Sequence, residues 1–291
     1  MAPDAPGGWT SFLAPLPYFL TGLLPFGVGT LLSGVAGFPM RFAVWGAGSA
    51  AAAALVLAGF ASRQAFAPEG RCPGLPGLSP RGARRLAYGA LAAAAVLGLC
   101  CQFRLGTGDL TLPLGALGVL GGYFYFAPPL SWHRRGLGEA AGGLSFGLLP
   151  VFSGYYLQGG HPVAEILVFG LPLSLAAFNL FLVHGYPRPG EEPPARHSLA
   201  ARLGPVAGAL IYTLVNLLTL AGLVFCLVFP AHPLPFRWAL LLPLFLAGAG
   251  QELIKRRAYR DEGRLRLLCR LTLALHLSLG LVFSLILWRR L

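Results

Sequence analysis

The sequence predicts an all-α protein that crosses a membrane many times, and three observations carry this prediction. Hydrophobic residues make up 56% of the 291 residues, whereas charged residues make up 11%. The mean hydropathy is +0.68, which implies more apolar surface than a soluble domain of this length needs to bury. Long uncharged segments alternate with short connections, and the arginines are concentrated in every second connection.

Nine segments are long and apolar enough to cross a bilayer core of about 30 Å as helices of roughly 20 residues. We therefore expect a single domain over residues 1–291, built as one bundle of nine transmembrane helices. The many glycines and prolines fit this expectation, because small residues let membrane helices pack closely and neighbouring helices satisfy the backbone at kinks. The predicted spans, in order, are residues 16–36, 43–61, 86–103, 110–127, 138–158, 163–184, 205–229, 236–254 and 267–288.

The basic residues predict the orientation of the bundle. The connections after the second, fourth, sixth and eighth spans carry sixteen Lys and Arg, whereas the opposite side carries Arg41, Arg104, Arg237, Arg289 and Arg290. Connections rich in Lys and Arg stay in the cytoplasm. We therefore expect an integral protein, of a bacterial inner membrane, with its N-terminus in the cytoplasm and its C-terminus outside. Residues 1–14 lack a basic leader, so no cleavable signal peptide is expected.

The composition also excludes several classes of function. The formal charge of +12 lies mostly on one face, where membrane lipid is the expected partner, and no recognition fold or aromatic-basic repeat indicates nucleic acid. Five cysteines and six histidines lack the spacing of metal ligands. His276, in the ninth span, is expected to hydrogen-bond a neighbouring helix. A transporter would require paired carboxylates or inverted repeats within the spans, and we find neither.

Two long connections on the predicted cytoplasmic side concentrate the unusual polar residues. Residues 62–85 read SRQAFAPEGRCPGLPGLSPRGARR, and residues 185–204 read GYPRPGEEPPARHSLAARLG. Asn179 lies shortly before the second of them, near the end of the sixth span. Polar side chains are costly in lipid unless they have a partner, so we expect the two connections to cap a site at the water interface.

One stretch of the chain resembles a known family. Residues 123–158 read YFYFAPPLSWHRRGLGEAAGGLSFGLLPVFSGYYLQ. This is similar to the Pro-Pro, Arg-Gly-x-Gly-Glu, Phe-Gly and Tyr-Tyr-x-Gln pattern of the UbiA-type intramembrane aromatic prenyltransferases. Within that family it is most similar to the branch that prenylates 1,4-dihydroxy-2-naphthoate for menaquinone. HSLAARLG, residues 197–204, is similar to the stretch that closes the family's second acidic loop.

The resemblance implies the transfer of a prenyl group from a polyprenyl diphosphate to an aromatic acceptor. Enzymes of this family are understood to hold the diphosphate through Mg²⁺ bound by two aspartate-rich motifs, one in each enlarged loop. Magnesium suits this role because it prefers oxygen ligands and bridges carboxylates to phosphates, and because it neutralises charge on the leaving diphosphate. The ionised chain is an allylic cation that an electron-rich ring attacks, inside an apolar chamber that excludes water.

The chain departs from the family in both acidic motifs. Where the first motif reads Asn-Asp-x-x-Asp, residues 62–66 read SRQAF, so that Arg63 and Phe66 replace the two aspartates. In the second motif Arg188 replaces the first aspartate, while Glu191 or Glu192 stands for the second. Few metal ligands remain, and arginines are concentrated in their place.

Three interpretations of these departures remain open. A two-magnesium site could survive on the remaining glutamates; arginines could replace the metal, since guanidinium groups bind phosphate oxygens directly; or the chain could be a catalytically impaired paralogue that binds an isoprenoid or quinone lipid. Membrane orientation alone could also explain each arginine. We expect prenyl transfer, with Asn179 and Tyr125 acting in catalysis and with Mg²⁺ on Glu191 and Glu192. The residues expected to bind the diphosphate are Arg63, Arg134, Arg135, Arg188 and Arg196.

Overall fold

The computed structural model describes residues 16–66, 78–159, 161, 163–187, 198–228 and 236–291. Within these ranges the fold is all-helical, as predicted, and contains no strand. The helices are α1 (Leu16–Val35), α2 (Phe42–Phe66), α3 (Pro80–Leu99), α4 (Thr111–Gly122), α5 (Gly138–Phe146), α6 (Leu148–Leu157), α7 (Glu165–His184), α8 (Leu199–Leu203), α9 (Pro205–Val228), α10 (Leu241–Lys255) and α11 (Glu262–Trp288). Six of these, α1, α2, α3 with the turn Cys100–Arg104 that extends it, α7, α9 and α11, are long and apolar enough to cross a membrane.

The other three predicted spans coincide with shorter helices. The fourth corresponds to α4, the eighth to α10, and the fifth to the pair α5 and α6, which is interrupted at Gly147. The interruption has a local cause, because the backbone of Gly147 lies directly against Ser174 of α7 and leaves no space for a side chain. The Leu148 N–H, at the start of α6, donates a hydrogen bond of 2.7 Å to the Ser174 hydroxyl. A count of nine spans therefore stays a prediction.

Close backbone contacts hold the helices together, as expected where lipid supplies no hydrophobic force between them. Gly29 of α1 lies against the backbone of Val151, and Gly154 of α6 lies against the backbone of Phe26. A side chain on either glycine would overlap the facing main chain. The helices α1 and α6 consequently pack with their backbones in contact.

Buried polar side chains join further pairs of helices. The Asn216 amide donates to the Ala247 carbonyl at 2.9 Å and to Gln251 Oε1 at 3.1 Å, which connects α9 to α10. His276 Nε2 donates to the Thr21 carbonyl at 3.0 Å, which connects α11 to α1. The prediction that His276 hydrogen-bonds a neighbouring helix is confirmed.

The helices bring most of the arginines to one end of the bundle. The Tyr18 ring, at the start of α1, lies 6.3 Å from the Phe60 ring near the end of α2, and its hydroxyl lies 3.2 Å from His184 at the end of α7. The Tyr186 ring, which follows α7, stacks at 6.0 Å on Tyr259, which precedes α11. We call this the basic end, defined by the described residues Arg63, Arg81, Arg84, Arg85, Arg134, Arg135, Arg202, Lys255, Arg256, Arg257, Arg260, Arg264 and Arg266.

Candidate active site

Arg63 is the buried arginine of the basic end. Only 4% of its surface is exposed. It shares a face of α2 with Gly59 and Val56, and these two residues lie against Gly122 at the end of α4 and Gly22 of α1. The guanidinium group therefore lies among the helices rather than on their surface. Because a buried charge is costly without anionic or hydrogen-bonding groups around it, a position in the core is a poor place for a residue that only sets membrane orientation.

Arg134 and Arg135 lie on an exposed turn between α4 and α5. The turn is fixed by its own hydrogen bonds, since the Trp132 indole donates to the Leu120 carbonyl at 2.9 Å and Arg135 donates to the Pro129 carbonyl at 2.9 Å. Both arginines are therefore accessible from water. An exposed guanidinium on a fixed turn can bind a phosphate group directly.

Aromatic rings lead from this turn into the bundle. The Tyr125 ring stacks on His133 with 6.1 Å between the ring centroids and lies 5.1 Å from the Phe181 ring of α7. Phe181 in turn lies 5.4 Å from Phe146 at the end of α5. We call these four side chains the aromatic run. The faces of such rings attract cations, so the run is suited to contact with a cationic group.

Tyr18 and His184 form a second polar pair at the same end. His184 Nδ1 donates to the Leu180 carbonyl at 2.7 Å, so that Nε2 is left to accept the hydrogen bond of 3.2 Å from the Tyr18 hydroxyl. An imidazole oriented by a carbonyl at one nitrogen can take up a proton at the other. No local sequence pattern connects these residues, because they are 166 positions apart.

Glu139 and the short helix α8 attach the end of the second long connection to α5 and to the turn that carries Arg134. The Glu139 side chain is 3% exposed, and its Oε1 accepts a hydrogen bond of 2.8 Å from the Leu199 N–H. Ser198, which precedes α8, donates to the Gly185 carbonyl at 2.7 Å, and Arg202 donates to the Arg134 carbonyl at 3.3 Å. The beginning of α8 is thus attached to the start of α5 and to the end of α7.

A buried tyrosine, Tyr186, stabilises the same region by a hydrogen bond to the start of α9. The Tyr186 hydroxyl donates to the Pro205 carbonyl at 3.4 Å, which connects the end of α7 to the start of α9. Burial, together with the neighbouring phenols of Tyr259 and Tyr212, raises the pKa of the Tyr186 phenol. The phenol therefore stays protonated over the physiological range and acts as a neutral donor.

The structure does not bring all the predicted site residues together. Asn179 lies on the face of α7 that packs against α9, where its amide donates to the Tyr212 carbonyl at 3.2 Å. It points away from the aromatic run, which contacts α7 at Phe181. Four of the expected phosphate and metal ligands, Arg188, Glu191, Glu192 and Arg196, lie outside the described residues, as do parts of both predicted capping connections.

The described residues do not assemble a magnesium site by themselves. Across the ranges that the structure describes, no three His, Cys, Asp or Glu side chains lie close enough to hold a metal ion. Mg²⁺ usually takes one or two carboxylates together with substrate phosphates and waters. The buried carboxylate of this region, Glu139, already accepts the Leu199 N–H, and the first motif position carries the guanidinium of Arg63. The described part of the site is therefore organised around cationic rather than anionic groups.

An apolar cavity lies beside the aromatic run, among α1 to α6. Its volume is about 260 Å³, and its lining consists largely of glycine, alanine, leucine and valine. Phe146, the innermost ring of the aromatic run, is also part of the lining. An apolar space thus adjoins the inner side of a cationic, aromatic site. The family resemblance implied such a chamber, but the sequence did not locate it.

Comparisons with known proteins identify the family and the fold. The sequence profile of the UbiA prenyltransferase family matches residues 76–285. No curated protein matches the chain in sequence. Among solved structures, the apo structure of a UbiA homologue from Aeropyrum pernix K1 superposes with a TM-score of 0.66 at 16% identity, covering 91% of this chain and 96% of that one.

Two further structures share the fold. A digeranylgeranylglyceryl phosphate synthase matches with a TM-score of 0.64 at 12% identity, covering 96% of this chain and 98% of that one. A UbiA homologue from Archaeoglobus fulgidus bound to DMAPP and Mg²⁺ matches with a TM-score of 0.58 at 15% identity, covering 95% and 98%. At these identities the comparison establishes a shared fold over nearly the whole length of the chain.

Proposed function

Because the chain belongs to the UbiA prenyltransferase family, we propose that it transfers a polyprenyl group from its diphosphate to an aromatic quinone precursor, in a menaquinone-type pathway. The observation that carries this proposal is the buried guanidinium of Arg63 near the end of α2, a helix that contacts the Tyr123–Tyr125 turn and lines the apolar cavity. The Archaeoglobus fulgidus homologue bound to DMAPP and Mg²⁺ supports prenyl diphosphate as the substrate class. The similarity of residues 123–158 to the dihydroxynaphthoate branch supports the aromatic acceptor.

We assign the diphosphate to the arginines of the basic end. Arg63 would contact it from inside the bundle, while Arg134 and Arg135 would contact it from the exposed turn, joined by Arg188 and Arg196. Guanidinium groups form two parallel hydrogen bonds to phosphate oxygens and stay charged at any physiological pH. They therefore stabilise the charge that develops on the leaving diphosphate.

The family's metal would be held by few protein ligands. We propose Glu191 and Glu192 as the residues that hold Mg²⁺ on the diphosphate, where the ion neutralises phosphate charge. Arg63 and Phe66 stand where the family pattern has aspartates. Arginines would therefore supply much of the charge neutralisation.

The remaining residues of the site would act on the prenyl chain and the acceptor. Tyr125 and Phe181 would place their ring faces beside the allylic cation. The ring carbon attacked by the cation loses a proton, and the Tyr18–His184 pair would receive that proton at His184 Nε2. Asn179 would act at a distance, by fixing α7 against α9 through its bond to Tyr212.

Orientation and span number are part of the same proposal. We propose that α4, the α5–α6 pair and α10 complete nine membrane crossings. The basic end would then face the cytoplasm of a bacterial inner membrane, with the N-terminus inside and the C-terminus outside. The aromatic acid and the diphosphate head group of the prenyl donor would reach the site from that side.

Two observations favour a second candidate function. The departures at positions 63, 66 and 188 and the lack of a metal cluster among the described residues are also expected of a non-catalytic protein that binds an isoprenoid or quinone lipid. Such a protein would retain lipid on purification without converting any acceptor.

A transfer assay separates the two functions. Membranes that contain the protein are incubated with 1,4-dihydroxy-2-naphthoate, a polyprenyl diphosphate and Mg²⁺, and the lipid products are identified by mass spectrometry. We expect a prenylated naphthoquinone precursor. Copurified lipid without turnover on any aromatic acceptor would support the binding protein instead. Full activity in the double variant Glu191→Ala, Glu192→Ala would refute the metal assignment.

A further inference from the structure

The apolar cavity is bounded by buried side chains at one end. It extends along α2 from Val56 to Gly48, which is about 12 Å at 1.5 Å per residue. At the end away from the basic end, Phe26, Cys101 and Leu157 form a buried cluster with Val44. The first three of these residues also line the cavity. The cavity therefore ends on this cluster.

The Phe26 ring is part of this boundary. Its ring lies over Gly48 so closely that a methyl group at position 48 would come within 2.6 Å of the Phe26 Cζ atom. Phe26 itself is 3% exposed. Only glycine at position 48 leaves room for the ring between α1 and α2, so the ring occupies space through which the cavity would otherwise continue.

Gly115 of α4 keeps the middle of the cavity open. It is part of the lining, and a methyl group built on it would meet no atom within 4 Å. Two hydroxyl groups of the lining are satisfied locally, since Ser153 donates to the Leu149 carbonyl and Thr111 donates to the Gly108 carbonyl. A bound molecule would therefore meet a surface with no free charge and little hydrogen-bonding capacity.

The inner end of the cavity determines what kind of chain fits. Ser145 and Phe146 line this end, and Phe146 continues through Phe181 to Tyr125. A chain in the cavity would thus have its head group beside the aromatic run and the arginines of the basic end. A prenyl diphosphate has this polarity, with a fully apolar tail and an anionic head.

We propose that Phe26 and Gly115 determine the longest prenyl tail that is accepted, because they limit the cavity in which the tail of the proposed substrate would lie. This inference rests on the proposed function, because it names the residues that select among its substrates. A tail longer than the cavity would have to displace the Phe26 ring, and a side chain at position 115 would shorten the usable length.

The test is a comparison of two glycine variants. Gly115→Trp fills the cavity, whereas Gly89→Trp adds the same bulk on α3 at an exposed glycine that also has no neighbour within 4 Å. Purified proteins are equilibrated with mixtures of dimethylallyl, geranyl and geranylgeranyl diphosphates, and the retained species are quantified by mass spectrometry. We expect Gly115→Trp to lower the ratio of retained geranylgeranyl to dimethylallyl diphosphate by about 10-fold or more, since overpacking excludes the longer tail. Gly89→Trp should leave the ratio unchanged.

Phe26→Ala tests the end of the cavity that this ring bounds, and its effect should be opposite to that of Gly115→Trp. It should raise the retention of geranylgeranyl diphosphate relative to the shorter chains. Equal ratios in wild type, Gly115→Trp and Gly89→Trp would overturn the inference, as would a cavity that retains phospholipid in place of prenyl chains in every variant. A length effect on retention without any transfer to an acceptor would refute the proposed function and leave the tail site standing. A wild-type protein that retains no prenyl diphosphate would refute both.

Discussion

Glu139 accepts a hydrogen bond of 2.8 Å from the backbone N–H of Leu199, which lies 60 residues later in the chain. The bond joins the start of α5 to the start of α8, and it therefore ties the end of the second long connection to the turn that carries Arg134 and Arg135. Glu139 belongs to the Arg-Gly-x-Gly-Glu element that resembles the family pattern. The carboxylate gives that element a structural role, because it holds the start of α8 in place beside the site.

Replacement of Glu139 should loosen α8. Glu139→Ala leaves the Leu199 N–H without its acceptor, which should lower the free energy of unfolding by about 1–3 kcal/mol. Glu139→Gln keeps an oxygen acceptor and should lose less. Hydrogen exchange at residues 198–203 is the direct measurement, and it should accelerate in the alanine variant. Glu252→Ala, which removes an exposed carboxylate paired with Arg256, is the control that should change nothing. Unchanged exchange in Glu139→Ala would contradict the bond's role.

Removal of the buried guanidinium of Arg63 should lower the catalytic efficiency with the polyprenyl diphosphate. Arg63→Ala is expected to reduce kcat/KM for the polyprenyl diphosphate by about 100-fold, because it removes a desolvated charged contact. Arg63→Lys should recover only part of the activity, since an ammonium group lacks the two-pronged geometry of guanidinium. Arg104→Ala, an exposed arginine at the opposite end, serves as the control. Equal kinetics for Arg63→Ala and Arg104→Ala would remove Arg63 from the site.

Substitutions in the Tyr18–His184 pair should lower kcat more than they change KM. His184→Gln is expected to lower kcat by about 100-fold, the size typical of a lost general base, with little change in KM for the diphosphate. Tyr18→Phe should have a smaller effect in the same direction. His161→Gln alters an exposed histidine and should behave as wild type. A rise in KM without a fall in kcat would indicate that the pair binds substrate rather than accepts a proton.

Ser174 should stabilise the break between α5 and α6. Ser174→Ala removes the acceptor of the Leu148 N–H, and leaving that donor unsatisfied should cost about 1–3 kcal/mol. Thermal unfolding in detergent measures the effect. Ser278→Ala is a matched control, because Ser278 is 7% exposed, like Ser174, but bonds only to a carbonyl of its own helix. If both variants unfold at the same temperature, the Ser174 contact contributes no stability.

The sequence was sufficient for the class of fold because hydropathy is a property of each segment alone. Six long apolar helices and the bond from His276 to α1 confirm that part of the prediction. The interruption at Gly147 could not be predicted, since it depends on the approach of Ser174 from another helix. The fifth span therefore looked continuous in the sequence.

The location of a candidate residue was predictable where the residue belongs to a local motif, but not where its location depends on the rotation of a helix. Arg63 and Tyr125 came from motif positions, and the structure places both at the basic end. Asn179 was chosen for its polarity near a helix end, yet the rotation of α7 turns it toward α9. Tyr18 and His184 meet only because α1 and α7 are neighbours, which a single sequence does not reveal.

The close backbone contacts at Gly29 and Gly154 limit how this architecture can be redesigned for other substrates. The main chains of α1 and α6 already touch there, so neither helix can move inward, and a larger residue at either glycine would force the two apart. Changes in helix spacing around the internal space must therefore come from α2, α3 and α4. Engineering a different lipid preference should move those three helices or alter lining side chains such as Phe26, and should keep Gly29 and Gly154 as glycines.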